Sequence, residues 1–317
     1  MERWRLTISV LSICVAASAL ASCAASPSSP ASSVAPADRP SERSWMLPEA
    51  SGDTLLYLTS DFGGVNVLSY PSGKLVGTLS GVEYPIGVCA DSGGNVFVTA
   101  YYTQDVIEYA HGGTTPIARL PDFGYHPRGC AVDPVSGNLA VANTDAMDGS
   151  GGNVAIYAGA TGKPAYYAAP GISSFSWCAY DDEGDLFANG TQLAELRPGS
   201  ASLTAISLSV SGDGVQWDGT NLAMIDTASK ALYRISMSGS SGSVAGTMRF
   251  KGLIFEVGYD FLLTDGKAIV PFASFRDSLT KIGFWKYPQS GQHGRSFKAG
   301  DYDIYALALS PTEGAHR

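Results

Sequence analysis

Charge is scarce in this chain. Asp, Glu, Lys and Arg make up 15% of its 317 residues, against the usual quarter. A shortage of Lys and Glu argues against exposed amphipathic helices, which need such residues on their wet face. No stretch combines helical periodicity with capping residues. Histidine is rarer still, four residues scattered without metal-ligand spacing. The five cysteines include no Cys-x-x-Cys pair, which argues against zinc ribbons and thioredoxin-like chemistry. No Gly-x-Ser-x-Gly elbow occurs, and Ala158-Gly-Ala-Thr-Gly-Lys163 lacks the first glycine of a phosphate loop. The net charge of −9 argues against nucleic acid as a partner.

What the chain does have is 45% apolar residues, 37 glycines and 16 tyrosines. The apolar share excludes bulk disorder, and the glycines and aromatics suit short strands joined by tight turns.

Those strands come in copies. Pro85-Ile-Gly-Val-Cys-Ala-Asp91 aligns with Pro127-Arg-Gly-Cys-Ala-Val-Asp133, and each runs through a Gly-Asn turn into an apolar strand. Ser176-Trp-Cys-Ala-Tyr-Asp181 and Gly214-Val-Gln-Trp-Asp218 are further copies, and Val257-Gly-Tyr-Asp260 is a less regular fifth. The Asp residues step by 42, 48, 37 and 42, the spacing of propeller blades. Each is expected to accept hydrogen bonds from turn backbone. Two more strands follow in every unit, which makes four antiparallel strands per blade.

The ends complete the count. Residues 54–79 hold second, third and fourth strands without a first, and residues 303–310 supply a first strand without followers. Joining them closes a ring of six blades and hides both sheet edges. Residues 51–317 then average about 44 per blade. The expected fold is all-β, a six-bladed β-propeller over 51–317 closed by its C-terminal strand.

Two resemblances follow from these residues. Arg3 and Arg5 precede an uncharged apolar run over 6–21 that ends in Leu20-Ala21-Ser22-Cys23, which resembles the lipobox of bacterial lipoproteins. The resemblance implies a signal peptide over 1–22, acylation of Cys23, and export with lipid anchoring to the cell envelope. The membrane would be the outer one in a cell with two, because Ala24 stands where inner-membrane retention uses Asp. Residues 23–50, rich in Ser, Pro and Ala, read as a tether. The repeat unit resembles the six-bladed NHL-repeat propellers and their gluconolactonase-like relatives. That group includes binding scaffolds and lactonases.

In a propeller, the fourth-to-first and second-to-third connections gather at one end of the axial channel. Tyr101, Tyr102, His126, Arg128, Trp177, Trp217, Asp226 and Tyr305 are expected there, suited to a protein, peptide or carbohydrate ligand. Trp177 and Tyr102 in particular are expected to serve binding rather than stability. The lactonase resemblance implies a divalent cation such as calcium, held by Asn143, Asn189 and Asp226. No Glu stands in the early blades where that family places one. A binding or scaffolding module, monomeric and without a cofactor, is therefore set against a metal-dependent hydrolase of a small sugar-derived substrate. Finally, Cys89 lies two residues before its turn Asp, whereas Cys130 lies three before. Side chains alternate along a strand, so the two can face each other across adjacent blades, and export permits a disulfide.

Overall fold

The computed structural model describes residues 43–60, 64–251, 258–274, 279–289, 291–300 and 303–312. The expected leader, most of the expected tether and Cys23 lie outside the described residues. Among the described residues no helix is long and apolar enough to cross a membrane.

The chain forms six antiparallel sheets arranged as the blades of a propeller. Their innermost strands are Ile304–Ser310 for blade 1, Pro85–Ala90 for blade 2 and Tyr125–Val132 for blade 3. Phe175–Tyr180, Val215–Trp217 and Leu262–Thr264 serve blades 4, 5 and 6. Closure uses the C-terminal strand, which pairs with Leu55–Ser60 in the register Leu56↔Leu309 and Leu58↔Leu307. Ser310 also donates through Oγ to the Gly94 carbonyl (2.6 Å), tying the closing strand to blade 2.

Blade 1 has a fifth strand. Trp45–Met46 pairs with the outer strand Lys74–Ser80, and a 3-10 turn over Pro48–Gly52 leads back inward. Residues 45–52 therefore belong to the folded unit, whereas the sequence places those up to 50 in a tether. These residues cover a strand edge that would otherwise stay open. The backbones come close enough that a side chain at Gly77 would collide with Met46.

Four of the five repeated aspartates close their turns. Asp91 accepts from the Asn95 N–H (2.8 Å), and Asp133 from that of Val135 (2.9 Å). Asp181 accepts from Glu183 and Asp185, and Asp218 from Thr220 and Asn221. Asp260 does something else. It precedes the inner strand of blade 6, is buried, and accepts the Leu307 N–H of the closing strand (3.3 Å). The turn of blade 6 is made by Asp265 and Gly266, both at positive φ as a tight primed hairpin requires.

The core is built between neighbouring blades. Cys89, Phe97 and Val106 of blade 2 pack with Leu139, Val141 and Tyr157 of blade 3. Burying a side chain such as Phe97 contributes about 1.5–3 kcal/mol. Near the axis the repeated Pro-x-Gly has a purpose: a Cβ on Gly129 would lie 2.6 Å from the Trp177 ring. Only glycine lets consecutive inner strands approach this closely.

Candidate functional site

The channel has two unlike ends because each strand starts at one and finishes at the other. At the end carrying the fourth-to-first and second-to-third connections, a cavity of about 470 Å³ is lined by Tyr84, Tyr101, Tyr102, Arg128, Trp177 and Tyr305, among others. Arg128, Trp177 and Tyr305 come from inner strands, whereas Tyr101 and Tyr102 follow the second strand of blade 2.

The tyrosines form one cluster. The Tyr84 ring lies 5.9 Å from Tyr101, 5.0 Å from Tyr102 and 5.9 Å from Tyr305. The Tyr84 and Tyr305 hydroxyls are 3.1 Å apart. Tyr84 is held at φ +54°, a left-handed conformation that is costly for a bulky residue. His126 stacks on Tyr101 at 4.5 Å, and its Nδ1 lies 3.0 Å from Asp145 Oδ1. Partial burial raises the Tyr101 pKa, the nearby Asp145 adds to this, and Arg128 opposes it. The hydroxyl is therefore neutral at physiological pH and able to donate.

Arg128 reaches over Trp177, with its Cζ 5.6 Å from the ring centroid. Its Nη1 donates to Ser176 Oγ over 3.5 Å, a long bond. Trp177 is only 4% exposed and also lines a second cavity of about 430 Å³ in the other half of the channel. It forms the waist between the two. The expectation that Trp177 serves binding alone is corrected: it is core as well as lining.

Trp217 does not join the mouth. It stands one residue before its turn Asp218, whereas Trp177 stands four before Asp181, so Trp217 sits at the turn end of its strand and Trp177 midway along its own. At about 3.3 Å per residue this difference is roughly 10 Å. The Trp217 indole N–H donates to Asp182 of the neighbouring turn (3.0 Å). Asp226 is also committed elsewhere. Its Oδ1 accepts the Ser229 N–H (3.0 Å) and its Oδ2 the Tyr233 hydroxyl (3.2 Å). Burial alone would raise its pKa, but these bonds outweigh it and lower the pKa.

The three oxygens expected to converge on a cation do not fit one. Asn189 lies three residues beyond the first paired residue of its strand, Leu186, while Asn143 and Asp226 lie four beyond Leu139 and Leu222. One step of register turns a side chain to the opposite sheet face. The contacts follow that rule. Asn189 Nδ2 donates to the Gly212 and Asp213 carbonyls of the segment entering blade 5. Asn143 Nδ2 instead donates to Asn153 (2.9 Å) and Asp122 (3.4 Å) on its other side. Asp181, Glu183 and Asp185 cluster within 4.8 Å at the turn end, away from the mouth.

Cys89 and Cys130 are joined by a disulfide across the inner strands of blades 2 and 3, with Cα atoms 5.7 Å apart. Cys178 is buried, and burial pushes its thiol up to about 12, which removes it from thiolate chemistry at neutral pH.

Thr144, Ser176, Asp213 and Tyr259 also line the mouth and were not singled out in the sequence. Arg128 lies five residues before Asp133, and Ser176 five before Asp181. Counting back from the turn Asp would have found Ser176. Asp213 and Tyr259 sit on fourth-to-first connections, Asp213 just ahead of the fourth repeat copy and Tyr259 inside the irregular fifth.

The fold has solved counterparts. The chain is similar to a structure from the nidogen/laminin complex (10% identity, TM-score 0.63), covering 82% of this chain and 99% of that one. It is equally similar to a protein of unknown function from Bacteroides caccae (11% identity, TM-score 0.63), covering 81% and 99%. No protein-family model matches the chain, and no curated protein matches it.

Proposed function

We propose that this is an exported, lipid-anchored β-propeller that binds a ligand at the tyrosine-lined mouth of its axial channel. The observation that carries the reading is the mouth itself. A cavity of about 470 Å³ is within the range of small-ligand sites, roughly 300–1,000 Å³, and combines aromatic faces with polar tips. Its repeat unit supports placing the chain beside NHL-repeat propellers that act as scaffolds. Leu20-Ala21-Ser22-Cys23 supports anchoring through acylated Cys23, and a Cys89–Cys130 disulfide suits an oxidising compartment. The channel holds no converged ligand set for calcium among Asn143, Asn189 and Asp226, so lactonase chemistry is not part of the reading.

Two measurements test it. Cys23→Ala should move the protein from the membrane to the soluble fraction, and retention in membranes would remove the anchor. Tyr101→Ala should abolish ligand capture on a mixed glycan and peptide array that the wild-type protein passes. Equal capture by both proteins would place binding elsewhere.

A further inference from the structure

Two buried polar atoms without a hydrogen-bond partner belong to residues that line the mouth: Nε of Arg128 and Oγ1 of Thr144. Both residues border one cavity together with Ser176, whose hydroxyl, among the described residues, accepts the long bond from Arg128 and no other. Among the described residues, no carboxylate forms an ion pair with Arg128. Natural proteins rarely leave a buried donor unsatisfied, and an orphan of this kind calls for an explanation. Here a cation and two hydroxyls border one cavity, and the carboxylate that also lines it, Asp213, is engaged by the Thr227 hydroxyl (2.8 Å), in a protein whose net charge is −9. The arrangement complements an anion with two acceptor oxygens, since the guanidinium fork matches a carboxylate geometrically.

The rest of the cavity says what carries that anion. Tyr84, Tyr101, Tyr102 and Tyr305 present flat apolar faces ending in hydroxyls, and a pyranose ring presents a C–H face rimmed by hydroxyls. The space of about 470 Å³ holds one or two such rings rather than an extended peptide.

We infer that the mouth binds an acidic saccharide, with the uronate carboxylate on Arg128, Thr144 and Ser176 and the sugar ring against the tyrosines. The inference rests on the reading of the mouth as the ligand site. Isothermal titration of the full-length protein in detergent tests it with three probes: digalacturonate, neutral cellobiose and the dipeptide Asp-Glu. Digalacturonate should bind at least about tenfold tighter than cellobiose, and Arg128→Gln should erase that advantage. Thr144→Val, close in shape to threonine, should weaken digalacturonate while leaving the melting temperature in place. It keeps the test decisive if Arg128→Gln does not fold. Equal affinity for digalacturonate and cellobiose would overturn the role given to the carboxylate while leaving the mouth as the site. Tighter binding of Asp-Glu would overturn the saccharide. No heat with any probe would overturn this inference, while the array result above still decides the site.

Discussion

The two ends of the channel are made by the same strands, yet their polar groups are used in opposite ways. At the turn end, Asp218 is fully engaged: besides its own turn it accepts from Arg234 Nε (2.6 Å) and the Tyr287 hydroxyl of blade 6 (2.7 Å). Burial alone would raise its pKa, but those bonds outweigh it and lower the pKa. At the mouth, Arg128 and Thr144 keep buried atoms without partners, and Tyr84 sits in a strained conformation. Turn chemistry consumes local hydrogen-bonding capacity, because a tight hairpin must satisfy its own backbone. Arg128 and Thr144 lie on strands rather than in such a turn, and no group among the described residues takes up their buried atoms. The contrast lies in these particular residues, since at the turn end His111, which meets Ser310 through Nδ1, also keeps a buried Nε2 without a partner.

The largest perturbation should erase the contrast by removing the ring that holds both ends. Deleting residues 301–317 takes away the inner strand Ile304–Ser310 and exposes two edges. Loss of the cooperative melt and aggregation on size exclusion are expected. A soluble, cooperatively melting product would show that closure is dispensable. Next comes the waist, where Trp177→Ala should cost about 3–5 kcal/mol in urea unfolding, as for other buried aromatics. At the turn end, Asp218→Ala leaves Arg234 and Tyr287 without their acceptor and should cost roughly 2–3 kcal/mol. An unchanged unfolding midpoint would sink the idea that this turn anchors blade 5 to blade 6.

Asp260 gives a smaller, pH-dependent effect. Burial pushes its carboxyl up to about 7, partly offset by the Phe261 and Leu307 N–H groups. The folded state therefore holds this proton where the unfolded state has released it. Its contribution is complete below about pH 4 and is lost as pH rises to about 7. Asp260→Asn should flatten the stability profile across that window. The same slope in the variant would assign the effect to another group. The smallest change in stability belongs to Tyr102→Ala, because the ring is 62% exposed. Unfolding should shift by no more than about 0.5 kcal/mol while ligand capture at the mouth falls. A large loss of stability would make Tyr102 a packing residue.

Much of this was legible before any coordinates. The spacing from Asp91 to Asp218 marks the blades, and the unmatched strands at the two ends mark the closure. Less legible was the role of any one residue at the axis. Asp260 fills a repeat position by spacing, but it lies ahead of its strand and Asp265-Gly266 makes the turn. Trp177 and Trp217 look alike in sequence but sit at different depths. Asn143, Asn189 and Asp226 seem equivalent until pairing reveals the single-residue offset that sends Asn189 to the other face.

The sequence by itself determined the six blades, the strand at which the ring closes and the end of the channel where aromatics gather. Those features depend on period and turn chemistry, which act over a few neighbouring residues and can be read locally. Only the tertiary structure decided that Arg128 lies over Trp177, that Thr144 shares its cavity and that the asparagines part company. Contacts across the axis join residues dozens of positions apart, and side-chain direction reverses with one step of register. Neither is carried by any local stretch of chain.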